Sequence, residues 1–437
     1  MKVMSIFQVI MDVTGRCKPF LVRILPLPLL QKAKKRYLAW STGRLKKEKI
    51  RPFTRYYYKD GINLTGNIRG DFGLGQSCRL VAGELQSSGV AFGICEYHTA
   101  DDDHMDDHSC DALLLPEPVY NINLFHINAN EFTLAYFRLG KPVWDYRYNI
   151  AFWLWELEEF PKEWAGCMDL LHEIWTPSEF VSRAVRKRTQ KPVITIPYHV
   201  EAPTDQTCDR TYFHLPKDQF LFLMMYDSNS IMERKNPLGV LKAFQEAFSR
   251  EEKKAGLVIK MNSADRDEMK QIRQVLDGYE NVYFLTEVLT KVEANSLTAC
   301  VDVFVSMHRA EGFGLVMAEA MLLGVPCIAT GWSANTEFMS EDTACMLDYR
   351  LIPIREDLGP FRKGNYWADP DVHQAAAYMR RLYEDRAFYH NISVKAKAHA
   401  RKVFAMERAV GKIRERVRDI YQGRTMASYE TAKRSVG

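Results

Sequence analysis

The chain has 437 residues, 47% of them hydrophobic and 26% charged, which is enough to bury the cores of two or three domains. No apolar stretch reaches the ~18 residues of a membrane span. The start, Met1-Lys2-Val3, leads into an apolar run holding Gln8 and Asp12 without a small-residue cleavage site, so no secretory signal is expected either.

Net charge is +4, but residues 1–55 carry 14 Lys/Arg against Asp12 and Glu48, which makes +12 there and leaves −8 for the rest. Residues 1–55 therefore read as a basic, partly apolar extension. Within it an apolar run, 19–30, precedes Lys32, Lys34, Lys35 and Arg36. Cations beside apolar residues suit an anionic membrane surface, at ~1 kcal/mol per cation. Residues 1–50 are thus expected to touch the inner membrane face peripherally, the alternative being a solvated linker. No nucleic-acid motif accompanies the basic run, so nucleic acid is not an expected partner. The nine cysteines show no CxxC spacing and are read as buried free thiols of a cytoplasmic protein.

From Tyr56 onward strands and helices alternate. Strands are expected at 61–66, 90–95, 120–126, 148–153, 173–177 and 192–197. A glycine loop, 70–75, and a helix, 76–87, follow the first strand, and Ser178 reads as a helix N-cap. A second series begins at 220–226 and continues at 257–261, 282–285, 301–305 and 326–330, with helices at 237–248 and 315–323. The expected class is α/β, with two Rossmann-like parallel-sheet domains facing across a cleft: 56–205, then 206–400 after a linker near 201–217. Residues 401–437 read as a helix crossing back to the first domain. Ligands of such sheets bind at the carboxyl ends of the strands.

The strongest chemical signal follows strand 301–305. Glu311 sits just past the strand, and Gly312, Phe313 and Gly314 form a turn whose glycines let the backbone approach a ligand. Glu319 lies on the next helix. Both carboxylates can face one ligand above the helix N-terminus, whose free N–H groups and dipole suit a diphosphate. Arg234 and Lys235 stand at another helix start, where cations are unfavourable unless an anion is bound. The segment 148–164 holds three tryptophans and four glutamates. Glu156 is the expected acceptor contact or base, with the aromatic rings as walls for a sugar; His126, after strand 120–125, is a second candidate. The acidic run Asp101 to His108 offers metal-ligand types but lacks the strand context of a metal-diphosphate site, so no metal is expected.

These residues resemble the family-four retaining glycosyltransferases, which have the GT-B fold. Their hallmark is a glutamate, seven residues and another glutamate, as at Glu311 and Glu319. The resemblance implies that Glu311 lies against the donor sugar and that Glu319 binds the ribose. It implies that Ser333 and Ala334 form a small-residue loop near the donor, and that Lys235 clamps the diphosphate. The arginine usual directly after strand 220–226 is replaced by Asp227, and Arg234 is the residue that could take its place. Gly73 and Gly75 are similar to the family's glycine loop across the cleft. The Trp-Glu run and Arg-Lys-Asn-Pro resemble a subgroup of bacterial polysaccharide assembly. The implied activity is metal-independent, retaining transfer of a hexose from a UDP- or GDP-linked donor to a glycan or lipid-linked acceptor, with no cofactor. A GT-B sugar-nucleotide epimerase and a degenerate nucleotide-binding scaffold are the alternatives.

Overall fold

The computed structural model describes residues 43–45, 47–98, 105–263 and 266–423. The membrane expectation for residues 1–50 and the start of the acidic run, 101–104, thus fall largely outside the described residues. Among those described, no helix is long and apolar enough to cross a membrane.

The first domain holds β1 (Lys59–Gly66), β2 (Phe92–Glu96), β3 (Tyr120–His126), β4 (Tyr148–Phe152), β5 (Glu173–Thr176) and β6 (Val193–Thr195). They form one parallel sheet in the order β2-β1-β3-β4-β5-β6. The second holds β7 (Phe220–Asp227), β8 (Ala255–Asn262), β9 (Val282–Leu285), β10 (Val303–Ser306), β11 (Cys327–Thr330) and β12 (Cys345–Leu347). Their order is β12-β11-β10-β7-β8-β9. Read from the β9 edge, this is the dinucleotide-fold order 3-2-1-4-5-6, whereas the first sheet has the flavodoxin-like order.

The strands are apolar because both faces are covered. All residues of β7 up to Met224 are buried, and β8 is buried from Ala255 to Met261. The first sheet adds a polar seam through its interior. Asn63 donates to Asn123 at 2.9 Å, and Asn123 to Asn149 at 2.8 Å. These fully buried amides tie β1, β3 and β4 in register without leaving a donor unmet.

The helix Met406–Tyr421 packs on the first domain. Its Arg416 is buried against Glu173, 2.8 Å away, and its Tyr421 hydroxyl donates to Asn121 at 2.9 Å. One core cluster runs across both domains, joining Tyr198 and Ile196 to Phe313, Phe338 and Phe404. The eight described cysteines are free thiols, and Cys17 lies outside the described residues.

An antiparallel hairpin, β13 (Tyr349–Pro353) and β14 (Tyr366–Pro370), follows β12. Its connecting loop reaches the first domain. There Phe361 meets Trp155 with ring centroids 5.6 Å apart, and the Arg362 guanidinium lies 3.0 Å from Glu163.

Candidate donor site

In the second sheet the chain reverses direction of winding between β7 and β10, and sheets of this order bind ligands beyond the carboxyl ends of the strands at that point. The segment after β7 carries Arg234 and Lys235, and the segment after β10 carries Glu311. This topology brings together residues 76 positions apart.

The Arg-Lys-Asn-Pro run has a local explanation. Met232–Lys235 forms a single helical turn, ended by Asn236 in the left-handed region at φ 51°. Asn tolerates that conformation better than most residues. Its amide then donates to the Met307 carbonyl at 2.9 Å, and Pro237 opens the next helix at its first position. Lys235 and Arg234 are thereby anchored to the end of β10. Ile231, before the turn, has φ 63°, an outlier for a β-branched residue, so this segment holds strain at the site.

Glu311 accepts from the Lys235 ammonium and lies 3.3 Å from Arg234 Nη1. Arg234 also donates to the Ala310 carbonyl at 3.0 Å and is 6% exposed. Burial raises the Glu311 carboxyl, but the charges of Lys235 and Arg234 outweigh it and hold the group at about 2. Glu311 is therefore a carboxylate at neutral pH. Its backbone N–H donates to Ser333 Oγ at 3.0 Å. Ser333 itself sits at φ 75°, ψ −155°, a conformation glycine favours and a serine pays ~1–3 kcal/mol to keep. Its hydroxyl thus shapes the Glu311 loop, while Ala334 N–H bonds the Glu311 carbonyl at 3.3 Å.

Glu156 comes from the first domain. It lies close enough to Arg234, Glu311 and Lys235 to feel their charges, and burial raises its carboxyl above the ordinary value. Glu156, Arg234, Lys235 and Glu311 thus form one interdomain group of two acids and two bases. The tryptophans beside Glu156 do not line a sugar site. Trp153 is 0% and Trp155 is 2% exposed, packed on Phe160 and Trp164 as core. A hydrophobic ring after a strand end gains more from burial here than from display.

The helix Leu315–Leu323 starts at Gly314, with φ 99°, and ends at Gly324, with φ 82°. Both positions need glycine's left-handed freedom. Gly312 is required for another reason: a Cβ there would stand 2.8 Å from the Trp155 carbonyl oxygen. Phe313 packs edge-on against Tyr198, centroids 4.9 Å apart. The Glu-Gly-Phe-Gly turn therefore touches the first domain directly. Glu319 is 3% exposed and pairs with Lys291, and burial raises its carboxyl despite that partner.

Gly73 and Gly75 are placed differently from the sequence reading. The helix begins at Gly73, with Phe72 as N-cap, so both glycines lie in its first turn and not in a loop. Gly75 is forced by close approach, since a Cβ would stand 2.0 Å from Gly70 O; at Gly73 the space is open. The loop before them is pinned by Arg79, which donates to Ile68 O and Gly70 O at 2.9 Å each. Arg79 also lies 3.1 Å from Asp107, so part of the acidic run serves as its counter-ion. Among the described residues no three metal-ligating side chains converge.

His126 ends β3, paired in register with Gly66. It is fully buried, stacks on Phe152 and bonds Ser77 Oγ at 2.7 Å. Burial lowers it to about 4, so it is neutral at pH 7. It belongs to this first-domain network, which continues from Ser77 to Tyr198, rather than to the charged group at Glu311.

Sequence reasoning missed His308 and Glu337. His308 is fully buried under the Glu311 loop, bonded to Ser306 Oγ at 3.0 Å and Asn335 Oδ1 at 3.1 Å. Glu337 reaches across the domains and accepts from the N–H groups of Glu179, at 3.0 Å, and Phe180, at 2.7 Å. It thus caps the helix Glu179–Arg186 from outside its own domain.

Comparison with known proteins bears on the fold. No curated protein matches the chain by sequence. HepE of Anabaena in complex with UDP and glucose has a similar structure, with TM-score 0.59, 13% identity and coverage of 83% of this chain and 100% of that one. Sucrose-phosphate synthase from Thermosynechococcus elongatus gives 0.60, 13%, 83% and 100%. A glycosyltransferase from Rickettsia africae gives 0.59, 12%, 83% and 99%. At such identities the likeness is one of fold. The chain has the GT-B fold, and its residues 213–399 match the family model of glycosyl transferases group 1.

Proposed function

We propose that the chain transfers a hexose from a UDP- or GDP-linked donor to a glycan or lipid-linked acceptor, with retention of anomeric configuration. The observation that carries this reading is the Arg234–Lys235–Glu311 group after β7 and β10, beside the free N-terminus of the helix Leu315–Leu323. Two cations and a helix N-terminus suit a diphosphate leaving group. Glu311, ionised by its neighbours, suits the hydroxyls of the donor sugar, and buried Glu319 suits the ribose diol.

In the reaction the bond from the anomeric carbon to the phosphate oxygen breaks, and the acceptor oxygen bonds to that carbon on the same face. The acceptor proton passes to the departing phosphate oxygen. Lys235 and Arg234 offset the charge that develops there. The cations make a divalent ion dispensable in this reading, so transfer should persist in EDTA. In this reading Glu156, whose carboxyl burial raises, is the first-domain group that meets the acceptor hydroxyl.

The setting that fits is bacterial surface polysaccharide assembly, with residues 1–50 holding the enzyme at the inner membrane face. Deleting them should release the protein from anionic vesicles. The central test is a panel of UDP- and GDP-hexoses in a thermal-shift assay, followed by product analysis. A ligand at 100 times its Kd adds ~2.7 kcal/mol of stability. Transfer that survives in Glu311→Ala, or a donor sugar isomerised without transfer, would overturn the proposal.

A further inference from the structure

Glu319 has a partner, Lys291, to which the reaction above gives no role. Lys291 opens the helix Lys291–Cys300, where a capping box fixes its backbone. Thr290 Oγ1 accepts the Glu293 N–H at 3.3 Å, and the Glu293 carboxylate accepts the Thr290 N–H at 2.8 Å. The first turn of a helix repels a cation. A lysine near the surface can also carry its ammonium out to water. The Lys291 side chain, 31% exposed, instead turns inward and meets the Glu319 carboxylate, which is buried.

Glu319 stands between Ala318 and Ala320 and is the one polar residue of the helix Leu315–Leu323. Burial raises its carboxyl, and the charge and hydrogen bond of Lys291 oppose that rise. Lys397, of the helix Arg386–Val403, reaches the same helix at its far end and donates to the Leu323 carbonyl at 3.4 Å. Among the described residues no other cation pairs with Glu319. The partner decides what Glu319 can offer a ligand. A protonated carboxyl must place a hydrogen of its own, whereas an ionised one accepts only, through both oxygens. Two adjacent hydroxyls, each with an O–H to donate, match the ionised form. Hydrogen bonds to it are about twice as strong as those between neutral groups.

We propose that Lys291 is a positioning residue for the donor: its ammonium fixes the Glu319 carboxylate as acceptor for the 2′- and 3′-hydroxyls of the ribose, so that the site selects ribonucleotides over 2′-deoxyribonucleotides. Lys291 acts through Glu319 and does not itself touch the nucleotide. This rests on the proposed function and deepens its ribose contact.

Calorimetric titrations of UDP, GDP, their 2′-deoxy counterparts and inorganic pyrophosphate into the wild-type chain, Lys291→Met and Lys291→Arg decide it. For whichever base binds, the wild type should prefer the ribonucleotide by roughly tenfold or more. Lys291→Met should reduce that preference to about threefold or less and keep its pyrophosphate affinity. Lys291→Arg, which retains the charge, should restore it. Should Lys291→Met not fold, Lys291→Gln replaces it with the same expectation. A full preference in the folded variant, or a loss in Lys291→Arg as large as in Lys291→Met, overturns the assignment alone. Pyrophosphate affinity lost in Lys291→Met would put Lys291 on the diphosphate and overturn it too. A wild-type chain that binds none of the nucleoside diphosphates, or binds both sugar forms equally, overturns the proposed function or its ribose contact, and this assignment with it.

Discussion

The hydroxyl of Ser178, in the first domain, donates to the carbonyl of Gly312, in the second, at 2.9 Å. The same oxygen accepts the Val181 N–H at 3.3 Å and so caps the helix Glu179–Arg186. One side chain thereby starts a helix and holds the Glu311 turn against the opposite domain. Ser178→Ala removes the cap, worth ~1 kcal/mol, and leaves a buried carbonyl unmet at ~1–3 kcal/mol. Urea unfolding should show a loss of about 2 kcal/mol; an unchanged midpoint would refute the double role.

Lys235 and Glu311 are expected to fail together. Lys235→Met should lower kcat/KM at least ~100-fold, the range for removing one group that stabilises a departing charge. Glu311→Gln should do likewise while preserving pyrophosphate binding. Steady-state rates with the best donor check both. Wild-type rates in Lys235→Met would remove the diphosphate role.

The two helical glycines should respond oppositely to alanine. At Gly73 a Cβ meets open space, so Gly73→Ala should stabilise by ~0.5–1 kcal/mol through helix propensity. At Gly75 the Cβ would strike the Gly70 carbonyl, so Gly75→Ala should destabilise by ~1–3 kcal/mol. Equal changes in denaturation midpoint would contradict the packing.

Acid should weaken the fold in two stages. His126 and His172 are both lowered to about 4 by burial, from an ordinary 6.5. Between those values the unfolded chain binds more protons than the native one. Their contribution is complete above pH 6.5 and is lost as pH falls toward 4. Glu311, held at about 2 against an ordinary 4.5, adds a second loss from pH 4.5 downward. Unfolding free energy should therefore be lower at pH 5 than at pH 7. His126→Gln should flatten that slope by up to ~1.4 kcal/mol per pH unit; an unaltered slope would mean that His126 does not bind its proton this way.

How legible all this was in the sequence depended on the range of the force concerned. Runs such as 220–226 and 257–261 announce buried strands because continuous apolarity has few other uses in a chain of this composition. Ser178 was readable as a cap because capping is local. The positions of Glu311 just past β10 and of Glu319 on the next helix were readable because a strand, a glycine turn and a helix leave a recognisable local pattern. The tryptophans were not: Trp153 and Trp155 could equally stack on a sugar or fill a core, and only the packing decides. Gly73 and Gly75 could start a helix or precede one, and the Gly70 carbonyl that fixes Gly75 is a contact in space. His308, Glu337 and the hairpin of β13 and β14 depend on partners distant in sequence. No periodicity marks them, and Tyr349, Leu351 and Tyr366 are exposed enough to read as loop.

That hairpin couples the two halves of the molecule away from the chain crossings. Phe361 rests on Trp155, its neighbour Arg362 grips Glu163, and the guanidinium of Arg234 lies 5.9 Å from the centre of the Phe361 ring. The cation assigned to the phosphate and the clasp on the far wall therefore share one aromatic ring. Any separation of the two domains would therefore part Phe361 from Trp155 and leave Arg234 without one wall of its surroundings.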